Sequence, residues 1–188
     1  MAAQFFERLY EQADDPWDFD ASPYERRKYL HTLDSLGRER FTSALEIGCS
    51  IGVLTAQLAE RSGRVVGIDV SDRALALARA RLRNRPNVRL ERGEFPEQVP
   101  PGPWDLVVCS EVLYYLDEAP FALAIDRLEQ VLGDGATVMA VHWRPSTETY
   151  PLRGDEVHDR LSERLARWHE LDARRPLYRL DRFGSPQG

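Results

Sequence analysis

Cysteine is scarce in this sequence, and the two residues present, Cys49 and Cys109, both lie within apolar segments typical of strands. A disulfide framework or a zinc site needs more ligands at closer spacing, so the sequence excludes both and predicts no metal. We expect two buried, reduced thiols and a cytoplasmic protein.

Long hydrophobic runs are also absent, since no segment approaches the roughly 20 consecutive apolar residues that a membrane-spanning helix needs. The first 20 residues are rich in acids and lack the apolar stretch of a signal peptide. We therefore expect neither a membrane partner nor a secretory leader.

Positive charge is in deficit, because 25 Lys and Arg residues face 31 Asp and Glu residues, and Lys28 is the only lysine. The net charge of −6 argues against a nucleic-acid partner, since indiscriminate binding to nucleic acid depends on excess Lys and Arg. Hydrophobic residues make up 43% of the 188 positions, enough for one packed domain.

Strand and helix patterns alternate along most of the chain. Two helices come first, over residues 4–12 and from a Ser22 cap with Pro23 to about Leu36. The predicted strands are 43–47, 64–70, 87–92, 104–110, 136–143, 168–173 and 177–183, and the helices among them are 51–61, 71–84, 120–132 and 154–165. This alternation predicts an α/β fold with a mostly parallel sheet and a ligand site beyond the carboxyl ends of the strands.

The first strand leads into a glycine turn, Glu46-Ile-Gly48-Cys49-Ser50-Ile-Gly52. Gly48 permits a tight turn, and Gly52 permits close packing of the following helix. A dinucleotide site reads G-x-G-x-x-G and holds a diphosphate, which Glu46 would repel. Glu46 would instead attract the α-ammonium of an amino-acid moiety, so the turn favours a cationic ligand over a diphosphate.

The next two strands also end in residues suited to a nucleoside. Asp69 lies 17 residues after Gly52, about the spacing of an acid that holds ribose hydroxyls. Asp69 could instead cap the next helix, but Ser71 already fits that role. Glu94 and Phe95 follow the third strand and offer a carboxylate and a ring to an adenine.

These strand ends, with Ser110 and Glu111 after the fourth strand, resemble the class I S-adenosylmethionine (SAM) methyltransferases over about residues 42–143. The resemblance implies a Rossmann-like fold whose seven-stranded, mostly parallel sheet ends in an antiparallel C-terminal hairpin. It implies one domain over residues 1–188, with a helical lid over 1–40 and the core over 41–188.

The resemblance also implies SAM as cofactor and S-adenosylhomocysteine (SAH) as product. The implied cofactor-binding residues are Tyr24, Lys28, Glu46, Gly48, Cys49, Ser50, Gly52, Asp69, Val70, Glu94, Phe95 and Ser110. Ser50 departs from the glycine of many members, which narrows the loop but keeps its backbone donors.

Four stretches are similar to the NodS-like family, named after the nodulation proteins S. They are Asp-Pro-Trp17-Asp-Phe, Ser-Pro-Tyr24-Glu-Arg-Arg-Lys28-Tyr, Leu-Glu46-Ile-Gly-Cys-Ser-Ile-Gly-Val-Leu-Thr and Cys-Ser-Glu111-Val-Leu-Tyr114-Tyr115-Leu. Nodulation proteins S methylate the free amine of a deacetylated chitooligosaccharide. The resemblance implies an N-methyltransferase that acts on an amino sugar or a related small molecule.

An amine must be neutral to accept a methyl group, so we searched the strand ends for a proton acceptor. Glu111 is the first candidate and His142 the next, with Tyr115 as a second acceptor. Glu111 could instead cap the following turn, and His142 could be an ordinary core residue. His158 is expected at the surface, because its helix is mostly polar.

Substrate-binding candidates are aromatic or cationic. The loop after the fifth strand carries Trp143, Arg144 and Tyr150, which suit a sugar ring and its hydroxyls. Trp17 and Tyr114 complete the set, and Lys28, on one helix face with Tyr24, could also be a plain surface charge.

Four rival functions share part of this pattern. A dehydrogenase would need a diphosphate-compatible turn, and an enzyme acting on exocyclic amines of nucleic acid would carry prolines after the fourth strand. A SAM-dependent O- or C-methyltransferase of a natural product, or a non-catalytic SAM-binding protein, would share the same turn and strand ends.

Overall fold

The computed structural model describes residues 3–185, which form a seven-stranded sheet flanked by helices. The strands are β1 (Phe41–Ile47), β2 (Ser62–Asp69), β3 (Val88–Arg92), β4 (Trp104–Ser110), β5 (Leu132–Trp143), β6 (His169–Arg174) and β7 (Tyr178–Gly184). The helices are α1 (Ala3–Gln12), α2 (Pro23–Asp34), α3 (Val53–Arg61), α4 (Asp72–Arg81), α5 (Glu118–Val131) and α6 (Gly154–Arg164). Short 3₁₀ turns cover Leu113–Tyr115 and Ala166–Trp168.

The strand order is β3-β2-β1-β4-β5-β7-β6, with β1 to β5 parallel and β7 antiparallel to both of its neighbours. This confirms the expected α/β fold and the C-terminal edge hairpin. Because β1 pairs with β2 on one side and β4 on the other, the chain direction across the sheet reverses there. Ligands in such sheets bind beyond the carboxyl ends of the strands at this reversal.

The centre of the sheet is buried on both faces. In β4, Leu106 and Val108 pack on one side with α2 and α3, while Val107 and Cys109 pack on the other with α5 and α6. Successive strand residues point to opposite faces, so a central strand between two helix layers must be apolar throughout. The strand predicted over 104–110 is confirmed, and Cys49 and Cys109 are both buried and unpaired, as expected.

Helix boundaries follow capping chemistry. The Ser22 hydroxyl accepts from the Glu25 N–H with Pro23 in the first turn, and the Ser71 hydroxyl accepts from the Ala74 N–H, as predicted. The prediction that α3 starts at residue 51 is wrong by two residues, because Ser50 and Gly52 adopt φ values of 51° and 79° and extend the turn. The prediction that α2 reaches Leu36 is also wrong, since the helix ends at Asp34.

The two N-terminal helices lie over the carboxyl edge of the sheet. The Arg73 side chain donates to the Tyr10 carbonyl and the Ser71 hydroxyl donates to Glu7, which fastens α1 beside α4. No helix within residues 3–185 is long and apolar enough to cross a membrane.

Candidate active site

A cavity of about 420 Å³ opens at the carboxyl ends of the central strands, beneath α1 and α2. Most residues singled out from the sequence meet there. Those that line the cavity are Trp17, Tyr24, Lys28, Glu46, Gly48, Cys49, Ser50, Asp69, Val70, Glu94, Phe95, Ser110, Glu111, Tyr114, Tyr115, Trp143 and Tyr150. Its volume falls within the range of small-molecule sites.

The β1–α3 turn forms one end of this cavity and is tied to β2. The amides of Gly48 and Cys49 both donate to the Ile68 carbonyl, and Gly48 has a φ of 74°. A Cβ at Gly48 would lie 3.3 Å from the Val112 side chain, so the turn has little room for a larger residue. Glycine is therefore favoured at this position by both backbone conformation and space.

Asp69 ends β2 with its carboxylate partly satisfied by the backbone. Its Oδ2 accepts the Ser50 N–H and its Oδ1 accepts the Ser71 N–H, each at 2.9 Å. Burial raises the pKa of Asp69, and these amide donors counteract that rise. A carboxylate offers about four lone-pair sites, so Asp69 retains about two for a ligand's hydroxyls.

Glu46 is a nearly fully buried acid whose Oε2 has no hydrogen-bond partner among residues 3–185. Burial, aided by the charge of Asp69, raises the pKa of Glu46 to about 8. A buried carboxyl without a partner is costly, which makes this position receptive to a cationic or hydrogen-donating ligand group.

At the other end, a buried ion-pair cluster joins α2 to the end of β4. The Lys28 ammonium lies 2.8 Å from Glu25 Oε2 and 2.5 Å from Glu111 Oε1, and only 2% of the lysine side chain is exposed. Burial opposes the charge on Lys28, but the two carboxylates together raise its pKa above the usual value. When all three groups are ionised, the cluster carries one net negative charge.

Glu111 has further partners that fix its carboxylate. Its Oε2 accepts from the Tyr114 hydroxyl at 2.6 Å and from the Trp143 amide at 2.8 Å. With Lys28 on Oε1, three of about four lone-pair sites are occupied. Glu111 also has a φ of 57°, an uncommon conformation for a residue with a Cβ, which the surrounding hydrogen bonds hold in place.

Aromatic rings enclose the cavity around this cluster. Tyr114 stacks on Tyr150 with ring centroids 4.7 Å apart, and the Tyr115 hydroxyl donates to the Tyr150 hydroxyl. Tyr24 meets Trp143 edge to face, and its hydroxyl is buried without a hydrogen-bond partner among the described residues. This chamber suits a cyclic or cationic ligand group.

The expectation that His142 acts in the site is wrong. His142 is fully buried outside the cavity lining, and both of its ring nitrogens have partners, the Leu113 amide and His158. The surface placement expected for His158 is also wrong, because its side chain is 0% exposed. The polar pattern of α6 misled the prediction, since His158 lies on the buried face with Val157 and Leu161.

Two further predicted site residues lie outside the cavity lining. Arg144 turns away to form a two-point ion pair with Asp155 and to donate to the Arg175 carbonyl. Gly52 contacts α4 instead of a ligand, since a Cβ there would lie 2.9 Å from Leu82 and 3.2 Å from Ala78.

Sequence reasoning also missed residues that line the cavity. Glu25 could have been noticed three residues before Lys28 on the same helix. Phe6 and Tyr10 are placed there by the packing of α1, which no local pattern reveals, and the Tyr10 hydroxyl bonds with the Ser50 hydroxyl. Within the described residues no group of three His, Cys, Asp or Glu side chains could hold a metal.

Comparisons with known proteins agree with this geometry. A family model described as Nodulation protein S (NodS) matches residues 3–144. Nodulation protein S of Rhizobium tropici is 34% identical over 125 residues, covering 65% of this chain and 52% of that protein. Trans-aconitate 2-methyltransferase of Deinococcus radiodurans is 33% identical over 159 residues, covering 83% of this chain and 55% of that protein. The chain spans about half the length of the curated relatives it matches.

Among solved structures, the N-methyltransferase NodS of Bradyrhizobium japonicum WM9 in complex with SAH superimposes with a TM-score of 0.86. The two sequences are 27% identical, and the match covers 98% of each chain.

Proposed function

The chain belongs to the nodulation protein S (NodS) family, as its sequence predicts, and from this we propose that it is a SAM-dependent N-methyltransferase. Its acceptor is the free amine of an amino sugar or a related small molecule. The observation that carries the proposal is one continuous cavity, acidic at the ends of β1 and β2 and lined with rings around a net negative cluster at the end of β4.

The residues at the acidic end fit SAM. The unpartnered Oε2 of Glu46 can take the α-ammonium, and the spare lone pairs of Asp69 can take the ribose hydroxyls. Glu94 and Phe95 line the same cavity where an adenine would need an acceptor and a ring. When bound, SAM supplies a methyl group on a sulfonium, an electrophile that needs no metal.

The charge of the acceptor end favours an amine over an anion. Glu25, Lys28 and Glu111 together leave one net negative charge in a setting that water screens poorly. The ammonium form of an amine is attracted there, and the surrounding rings also stabilise a cation. A carboxylate acceptor would face two carboxylates across a low-dielectric space, which disfavours it strongly.

The chain's residues can hold the acceptor and guide its proton. The lone-pair site left on Glu111 can accept an amine N–H and so point the nitrogen lone pair into the cavity. We propose that Glu111 assists proton removal, with the Tyr115 hydroxyl as second acceptor, while Trp143 and Tyr150 hold the ring of the substrate. The aromatic walls exclude water from the reacting atoms.

Cofactor binding is tested first, by calorimetric titration of SAM and SAH into the wild type and the Asp69→Asn variant. We expect Asp69→Asn to weaken binding by about 1–3 kcal/mol, because one of its two acceptor oxygens becomes a donor. Asp72→Asn is the matched control, since Asp72 is exposed at the start of α4 and its ion pair is with Arg92. Equal affinities for all three proteins would contradict the assignment of Asp69.

Turnover is then measured on glucosamine and other amines, with hydroxyl compounds and trans-aconitate as comparison acceptors. We expect methyl transfer to nitrogen only. Methylation confined to hydroxyls or carboxylates would establish an O-methyltransferase instead. Tight SAM binding with no turnover on any acceptor would indicate a non-catalytic SAM-binding protein.

A further inference from the structure

A chain of buried polar groups runs from β7, the strand next to the sheet edge, to the cavity wall without entering the cavity. Asp181 on β7 lies with its Oδ2 2.9 Å from His158 Nδ1 on α6. His158 Nε2 lies 3.1 Å from His142 Nδ1 on β5, and His142 Nε2 accepts the Leu113 amide at 3.1 Å. All three side chains are fully buried. The proposed methyl transfer has no direct use for these groups.

The Leu113 end of this chain determines which nitrogen of each histidine ring carries the proton. The Leu113 amide can only donate, so His142 Nε2 must be unprotonated and its proton must sit on Nδ1. That proton is donated to His158 Nε2, which leaves the His158 proton on Nδ1, 2.9 Å from Asp181 Oδ2 but without hydrogen-bond geometry toward it. Burial, aided by the charge of Lys28, lowers the pKa of His142 well below its usual value, which keeps this ring neutral.

The group held at the inner end is the 3₁₀ turn Leu113–Tyr115. Leu113 opens this turn, so its amide sets the direction in which Tyr114 and Tyr115 leave the end of β4. The ring of Tyr114 also packs edge to face on His142, with centroids 5.2 Å apart. The residue after His142 is Trp143, whose amide donates to Glu111. The positions of the aromatic wall and of the Glu111 carboxylate thus both depend on the imidazole of His142.

We propose that His142, His158 and Asp181 are positioning residues that hold the Tyr114–Tyr115 turn in register for the methyl acceptor. This inference rests on the proposed function and names the residues that position its acceptor site. Such positioning matters because a misplacement of about 1 Å at a reacting centre can cost about 10²-fold in rate.

A chain of hydrogen bonds positions the turn more specifically than an apolar contact, because donors and acceptors can be arranged along it in only one direction. If His158 took up a proton, it would donate from both nitrogens, and His142 would have to carry its own proton on Nε2. Two donors, that N–H and the Leu113 amide, would then face each other, and the turn would lose its anchor. Arg179 Nη2, 3.3 Å from Asp181 Oδ2, stabilises the Asp181 carboxylate beside His158 at the outer end.

Nitrogen-15 NMR of the wild-type protein, labelled at its four histidines and loaded with SAH, tests the proton positions directly. We expect His142 and His158 both to be neutral Nδ1–H tautomers at pH 7.5. A cation or an Nε2–H tautomer at either residue would overturn the proposal. This measurement needs neither a variant nor a methyl acceptor, so it is independent of the proposed function.

Variants then test the positioning role. His142→Phe keeps a ring but removes both nitrogens, and His142→Gln restores an acceptor for the Leu113 amide. We expect His142→Phe to lose hydrogen-exchange protection at Leu113 and to lower kcat on glucosamine about 10- to 100-fold, with SAH affinity unchanged. His142→Gln should recover much of kcat, and His31→Phe is the matched control, because His31 bonds Tyr178 and not the turn that begins at Leu113.

Unchanged Leu113 protection and unchanged kcat in His142→Phe would contradict the inference. If the wild type methylates no acceptor, the proposed function fails, while amide exchange and the NMR tautomers still decide whether the chain anchors the turn. If His142→Phe does not fold, the wild-type NMR result alone decides the proposal.

Discussion

At the scale of single residues, the cavity contains acids whose burial is unfavourable in the free protein. Glu46 is the clearest example, since its carboxyl lies at the end of β1 with one oxygen unpartnered within residues 3–185. Its pKa of about 8 means that the folded protein binds a proton that the unfolded chain releases near the ordinary value of 4.5. This residue therefore lowers the free energy of unfolding as the pH rises from about 4.5 to about 8.

We predict that Glu46→Gln stabilises the ligand-free protein by about 1–3 kcal/mol at pH 8.5 and by much less at pH 5. SAM affinity should fall about 10-fold in the same variant, because an amide oxygen still accepts from an ammonium but lacks the negative charge that strengthens the bond. Urea unfolding at the two pH values and calorimetry check both effects. Glu163→Gln, an exposed acid on α6, serves as control. A pH-independent effect of Glu46→Gln would contradict the prediction.

Glu111 allows a second prediction at this scale. Glu111→Gln keeps the shape of the side chain but removes its charge, so it loses the ability to take a proton and weakens the pairing with Lys28. Turnover on amines should fall about 10²–10⁴-fold while SAM affinity stays near normal. Full activity of Glu111→Gln on every accepted amine would show that Glu111 does not assist proton removal.

Residues at strand ends could be predicted because their positions depend on local sequence. Asp69 and Glu111 follow apolar strands, and the parallel sheet brings such ends together without further information. Glu25 and His142 illustrate the opposite case. Glu25 shares Lys28 with Glu111 only because α2 packs across the end of β4, and His142 points into the helix layer where His158 is the partner. Neither pairing has a signal in sequence spacing.

At the scale of elements, the two N-terminal helices are held differently. α2 is fastened by the buried Lys28 to Glu111 at the end of β4. α1 covers the cavity with the side chains of Phe6 and Tyr10. The segment between the two helices is partly exposed and carries several aspartates. We therefore restrict the proposed lid to residues before Ser22, in place of the whole of residues 1–40.

We predict that SAH slows cleavage between Asp14 and Ser22 by an endoproteinase that cuts before aspartate, because ligand contacts with the cavity roof reduce its opening. Asp134, exposed at the start of β5, is the internal control and should be cut at the same rate with and without SAH. Mass spectrometry of the fragments measures both rates. Equal rates at the lid sites would contradict a ligand-ordered lid.

The order of elements was readily predicted, whereas several of their ends were not. β4 matches its predicted bounds because an apolar run between a turn and a polar residue is a complete local signal. The starts of α3 and β5 depend on left-handed residues and on pairing with neighbouring strands, which only the folded chain determines.

At the scale of the whole molecule, the buried cluster couples the N-terminal helices to the stability of the core. Replacing Lys28 with Met would leave Glu25 and Glu111 buried side by side without a counter-charge. Breaking a buried ion pair by removing one partner is costly, in contrast to losing a surface pair.

We predict that Lys28→Met lowers the free energy of unfolding by about 3–5 kcal/mol, measured by urea denaturation near neutral pH. Arg27→Met is the matched control, because Arg27 is the exposed neighbour on the same helix and should change stability by less than about 0.5 kcal/mol. The loss should shrink at acid pH, where protonation of the two carboxyls removes their repulsion. A similar effect of both substitutions would contradict the importance of the cluster.

Acylation of the single lysine, which is buried, can also measure how often α2 detaches from the sheet. An amine-acylating reagent can reach the side chain of Lys28 only after α2 leaves the end of β4, since 2% of that side chain is exposed in the closed state. Because there is no other lysine, the acyl group found on the peptide that contains Lys28, as distinct from one on the terminal amine, reports over time how often α2 detaches. The same counting of acyl groups, repeated with SAH or an amine, would show whether a ligand lengthens the interval between detachments.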